Sequence, residues 1–203
     1  MVLIMISGSF ISAQHLKNIS GPEKIWALSH PFIAKKAFRL SKEVLLICDS
    51  LKKDTILGLD ANGGMLDAFR HCYWMALLCQ HISPRKAYDL GLAHEKGNRF
   101  TFFKNKTEDG GMQDSMMCVM DIVNDQLGIQ YGLANKNSVR PMSDHDLIEF
   151  IAVQDKEGKL RKLLKNSENK FLMCDGTVID ENEFKGKWAV PKCLVPTNVF
   201  ISY

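Results

Sequence analysis

The run Asp67-Ala68-Phe69-Arg70-His71-Cys72-Tyr73-Trp74, followed by Ala93-His94-Glu95 and then by Asp121, Asn124 and Asp125, holds the residue types that acid–base or metal chemistry needs. On a helix, Asp67, Arg70, His71 and Trp74 share one face, and Asp121, Asn124 and Asp125 share another. Imidazoles and carboxylates from facing helices are what a bundle uses to hold a divalent metal in its interior. A bound metal would lower the pKa of water and supply hydroxide near neutral pH. His71, His94 and Asp121 are the candidate metal ligands. Without metal, His71 oriented by Asp67 or Asp121 is a candidate general base, with Arg70 stabilising an anionic transition state and Tyr73 donating a hydrogen bond. The candidate catalytic set is therefore Asp67, Arg70, His71, His94, Glu95 and Asp121.

The same residues also have a non-catalytic reading. An aspartate and a histidine at i and i+4 make a local helix pair, Arg70 can tie helices together through Asp121 or Glu95, and Trp74 suits a core. The chain is then a structural or interaction domain with a buried ion-pair network. His15, His30, His81 and His145 receive no functional role in either reading.

The elements that must position these groups are mostly helical. Ala68, Phe69, Cys72, Met75, Ala76, Leu77, Leu78 and Cys79 make the signature helix apolar almost all round, so it should run through the core. Before it, Gly21-Pro22 opens a short helix to Ser29, and His30-Pro31 starts an amphipathic one that reaches Leu51. Asp60-Ala61-Asn62-Gly63-Gly64 is a turn cluster. Ser83 caps a helix from Pro84 to Lys96 with Gly97 as its stop, which places His94 and Glu95 in its last turn. Asn98 to Gly111 reads as a long loop carrying Phe100, Phe102 and Phe103. Gln113 to Leu127 is the next helix, stopped by Gly128. Ser143 and Asp146 form a capping box for another, and Lys159 to Leu164 reads as a basic, solvated amphipathic stretch.

The last forty or so residues change character. Short β-like runs at 171–173, 177–179 and 188–190, with Asp175-Gly176 as a hairpin dipeptide, suggest an appended β-hairpin or extended arm. The fold expected is mainly α, a single helical domain of about six helices over residues 22–166, with the arm over 167–203 packed on it.

Composition bounds the function. With 203 residues, 46% of them hydrophobic, one core of good size is available. The 26 basic and 23 acidic residues are mixed along the chain, and the absence of a basic stripe argues against nucleic acid as a partner. No run is long enough for a transmembrane segment. Residues 1–13 have the apolar run and the small residue before a cleavage point that mark a signal peptide, although no Lys or Arg precedes Lys17. Export to the periplasm or medium is the expected localisation, with the cytoplasm as the alternative. Export permits disulfides, and Cys174 with Cys193 is the expected pair because both lie in the extended region. Cys48, Cys72, Cys79 and Cys118 read as buried thiols.

The D-A-F-R-H-x-Y-W block, the A-H-E triplet and Met120-Asp121 with Asn124 resemble the signature of an uncharacterised bacterial helical domain family, over about residues 22 to 135. That family's pattern tends to carry a second asparagine where this chain has Asp125. The resemblance implies an all-helical fold and occurrence in bacterial envelope proteins, and it implies no activity. A looser similarity is to HD-type metal phosphohydrolases, whose order of histidine, His-Asp pair and later aspartate is followed by His71, His94-Glu95 and Asp121. Glu95 departs from that pattern, being one methylene longer than the metal-bridging aspartate.

Overall fold

The computed structural model describes residues 19–54, 57–104 and 113–200. Among these residues lie six helices, α1 (Gly21–Ser29), α2 (Pro31–Asp54), α3 (Met65–His81), α4 (Pro84–Phe103), α5 (Ser115–Lys136) and α6 (Asp144–Lys156), and two short strands, β1 (Arg161–Leu163) and β2 (Leu194–Pro196). The chain is mainly α. The segment expected as a signal peptide, residues 1–13, falls outside the described residues, and none of the described helices is long and apolar enough to cross a membrane.

Helix α3 is the axis of the fold. From residue 66 to residue 79 every position except Arg70 is buried, and α2, α4, α5 and α6 all pack against it. A helix apolar on every side has no face to give to water, so its neighbours must surround it. The closest of them is α5. A Cβ on Gly128 would meet the Cys72 carbonyl and lie 2.9 Å from Met75 Cβ, and one on Gly132 would lie 2.6 Å from the Ala76 carbonyl oxygen. These two glycines, one turn apart, let the α5 backbone rest directly on that of α3.

That packing corrects two expected helix ends. Gly128 lies in the middle of α5, which continues to Lys136, and Gly97 lies inside α4, which continues to Phe103. Gly97 is buried against Ser20, where a side chain would collide with the serine hydroxyl. Both glycines serve close approach and neither ends a helix. His94 and Glu95 are therefore well inside α4, away from its C-terminal dipole. Phe100, Phe102 and Phe103 belong to that helix as well, while residues 105–111 of the expected loop fall outside the described residues. Phe102 is buried, with its ring 5.2 Å from that of Trp188.

The C-terminal arm also departs from expectation in detail. The stretch expected as a solvated basic face contains β1, in which Leu163 and even Lys162 are buried. β1 pairs antiparallel with β2, Lys162 opposite Val195. Residues 171–173 and 177–179 meet through one bridge, Leu172 with Val178, and a turn at Asp175-Gly176, without forming strands, and 188–190 form no strand. The Cys174–Cys193 disulfide closes the arm, and the other four cysteines are free and buried, as expected. Two of the contacts that hold the arm to the helical part of the chain lie beside the signature helix and on α5. The Asn124 side-chain amide exchanges two hydrogen bonds with the Arg161 backbone, at 2.8 and 2.9 Å. The Leu163 N–H donates to the Gly63 carbonyl at 2.8 Å.

Candidate functional site

Helix α3 presents Asp67 and His71 one turn apart toward α5, which answers with Asp121 and Asp125, also one turn apart. His71 stands between them. Its Nε2 lies 3.5 Å from Asp121 Oδ1 and 3.9 Å from Asp67 Oδ1, and its Nδ1 lies 3.1 Å from Asp125 Oδ1. All four side chains are at most 2% exposed. With Nδ1 carrying the proton and donating to Asp125, Nε2 presents its lone pair to Asp67 and Asp121. Asp125 fits because α4 has Gly91 opposite it, and a Cβ there would lie 2.5 Å from Asp125 Oδ2.

One of these carboxylates, Asp67, has further fixed contacts. The Gly63 N–H donates to Asp67 Oδ2 at 2.7 Å, and Arg70 Nη2 is 2.7 Å from Asp67 Oδ1. The Arg70 contact is an ion pair without hydrogen-bond alignment, and Asp121 Oδ1 likewise receives no hydrogen bond among the described residues. Glu95, on α4, is buried too; its Oε2 accepts from Asn98 at 3.2 Å while Oε1 has no hydrogen-bond partner among the described residues.

His94 sits at the edge of this group. Its ring centroid is 6.1 Å from that of His71 and 5.5 Å from that of Trp74, and its Nδ1 is 3.2 Å from Glu23 Oε1. Glu23 does two jobs, since its Oε2 also accepts the Ser20 N–H at 2.8 Å in the capping box of α1. The cluster approaches solvent through Arg70 and His94, whose side chains are 14% and 23% exposed.

Burial dominates the electrostatics. It holds the His71 imidazole down to about 4, helped by the Arg70 charge and against the pull of Asp67 and Glu95. It pushes Asp121 well above the usual carboxylate range, and repulsion from Glu95 and Asp67 adds to the rise. Asp125 and Glu95 are raised by burial as well. Burial also pushes Glu23 up, but His94 and Ser20 more than offset this and leave it below its ordinary value. Near pH 7 the metal-free cluster therefore pairs a neutral His71 with carboxyls that resist ionising.

Asp67, His71 and Asp121 form a group that could hold a metal ion, each offering one ligand atom and all three atoms lying within 4.8 Å of one another. His94, expected as a ligand, is not in that group, and Asp67 takes the third place. Arg70 joins the group through Asp67, while Glu95 stands beside it on α4. Tyr73 points elsewhere, its hydroxyl buried without a hydrogen-bond partner among the described residues. Two contributors lie outside the candidate catalytic and metal-ligand sets. Asp125 was visible on the Asp121 face, and Glu23 was signalled only by the Ser20-x-x-Glu23 spacing of a capping box.

A domain of unknown function, DUF6973, matches residues 24–159. The chain belongs to this family. No curated protein and no solved structure matches it. The DUF6973 segment takes in all of the cluster except Glu23, and it ends before β1 begins.

Proposed function

We propose that this DUF6973 chain is a metal-dependent hydrolase in which Asp67, His71 and Asp121 hold one divalent cation. The observation that carries the reading is the trio of ligand atoms around His71 Nε2. Ligands about 2.1 Å from a tetrahedral centre stand about 3.4 Å apart, which the 3.5 and 3.9 Å separations approach. The Nδ1 contact with Asp125 supplies the outer-shell carboxylate that fixes a metal-binding histidine in the right tautomer.

Charge supports the same conclusion. Four carboxyls, Asp67, Glu95, Asp121 and Asp125, crowd a neutral His71 and one arginine. A divalent cation would offset the crowded carboxylate charge and favour the ionised form of Asp121, whose proton would leave as the metal binds. Its fourth position would be open to water, with His94 at the rim of the cluster to move a proton. Export belongs to this proposal and is supported by the Cys174–Cys193 disulfide, since such bonds persist in oxidising compartments. The HD-type reading has less support, because His94 is engaged with Glu23 and Glu95 with Asn98.

The structural-network reading draws on one specific contact, the Arg70–Asp67 pair at 2.7 Å. Metal analysis of the purified chain separates the two. The hydrolase reading expects about one zinc, manganese or iron per chain, released by His71→Ala. Metal-free wild-type protein that gains no thermal stability from any of these ions would refute it.

A further inference from the structure

A cleft of about 270 Å³ opens between the start of α3 and the C-terminal arm, lined by Gly64, Met65, Lys162, Lys165, Val199 and Phe200 among others. Its donors are unanswered. The N-cap of α3 is Gly64, which has no side chain to cap with, and the N–H groups of Met65, Leu66 and Asp67 meet no acceptor among the described residues. Lys162 is only 8% exposed, yet among the described residues no oxygen accepts from its ammonium, which lies 3.7 Å from the centre of the Phe200 ring. A largely enclosed lysine whose ammonium opens to the cleft and a helix N-terminus at the same space form an anion site.

The charges in the cleft leave room for an anion. Asp60 also lines it, but Asp60 Oδ1 accepts the Asn62 N–H at 3.1 Å and Oδ2 pairs with Lys165 at 2.7 Å. That pair cancels, and Asp155, the carboxyl that acts most on Lys162, makes no hydrogen bond to its ammonium among the described residues, which leaves the ammonium's donors open. Its three N–H donors and the α3 amides exceed what a carboxylate accepts and suit the three terminal oxygens of a phosphate. Val199 and Phe200 add an apolar wall beside them.

We propose that this cleft binds the phosphate of a small organic phosphomonoester, with the anion held by the Lys162 ammonium and the first-turn amides of α3 and the organic part against Val199 and Phe200. The site shares with the metal trio only the backbone of Asp67, uses none of its ligand atoms, and stands whether or not that trio binds metal.

Calorimetric titration of the full chain, at low salt near pH 7 with a chelator present, tests this with phenyl phosphate, inorganic phosphate and benzoate. Saturable binding of phenyl phosphate is expected, with benzoate and inorganic phosphate each about tenfold weaker. Lys162→Met should weaken phenyl phosphate about tenfold. Met65→Pro removes one amide donor at the first helical position, where proline is tolerated. Gly64 at φ −96° and ψ −167° already has the extended backbone that precedes a proline. This variant should melt like the wild type and bind phenyl phosphate several-fold more weakly, and it decides the matter alone if Lys162→Met does not fold. No saturable binding by the wild type, or wild-type affinity in folded Met65→Pro, would overturn the site. Benzoate binding as tightly as phenyl phosphate would overturn the phosphate class, and inorganic phosphate doing so would overturn the monoester.

Discussion

The α3–α5 seam and the C-terminal arm both take charge out of water, and they do it in opposite ways. In the arm, each enclosed lysine lies over an aromatic ring: Lys162 over Phe200, and Lys165 and Lys192 over Phe171. Two of the three also hold a carboxylate, Lys165 with Asp60 and Lys192 with Asp114. Both carboxylates come from the helical part of the chain, so these charges are balanced across the seat of the arm. The seam gathers Asp67, Asp121 and Asp125 around one histidine that burial keeps neutral. A balanced cluster is what stability alone selects; an unbalanced one needs a proton or a cation from outside. The contrast supports placing the proposed metal site in the seam, and of the three enclosed lysines of the arm Lys162 is the one without a carboxylate at ion-pair distance among the described residues.

The contrast can be broken hardest at the seam. Gly128→Val would drive a branched side chain into the Cys72 carbonyl and should cost about 4 kcal/mol or more, read as loss of a cooperative thermal transition.

The next largest effect comes from Asp155, on α6 beside the arm. Burial pushes its carboxyl up to about 7, against the pull of Thr197 and Lys162, and neither carboxylate oxygen has a hydrogen-bond partner among the described residues. In the unfolded chain the same group titrates near 4. The native state therefore holds the extra proton between pH 4 and 7, and this group's contribution to stability falls as pH rises through that window, by up to about 4 kcal/mol. Urea melts over that range should show the fall in wild type and a flatter profile in Asp155→Asn.

Removing the disulfide of the arm, which joins residues 19 apart, should cost about 3 kcal/mol in a denaturant melt. Metal affinity at the seam should change little, because neither cysteine approaches it.

The smallest effect is the sharpest for function. In chelator-treated protein, Asp121→Asn should raise stability by about 1–2 kcal/mol, because an amide relieves the crowding of buried carboxyls. The same change should abolish the stabilisation that zinc or manganese gives the wild type. A loss of stability in the metal-free state would instead mark Asp121 as a partner in a satisfied network.

Much of this was legible in the sequence. The helical spacing placed Asp67 with His71 and Asp121 with Asp125, because a 3.6-residue period is a local property. The all-apolar character of residues 66–79 announced a central helix. The ends of α4 and α5 were not legible, since Gly97 and Gly128 look the same whether they stop a helix or admit a neighbour's backbone. β1 was hidden for a related reason: Lys162 reads as solvent-facing until the arm encloses it. The place of His94 depended on Glu23, seventy-one residues away, and no local pattern encodes that distance.

Asn124 stands between Asp121 and Asp125, yet its amide serves the arm, donating to the Arg161 carbonyl and accepting the Arg161 N–H as a neighbouring strand would. A single side chain on α5 thus sets which residue of the tail sits opposite the helix. Were β1 to slip by one position, its alternation would exchange the Lys162 and Leu163 faces. The ammonium would then leave the cleft and a leucine would lose its core. Asn124 works as a gauge that counts the tail into place, from the same helix that carries half of the acidic seam.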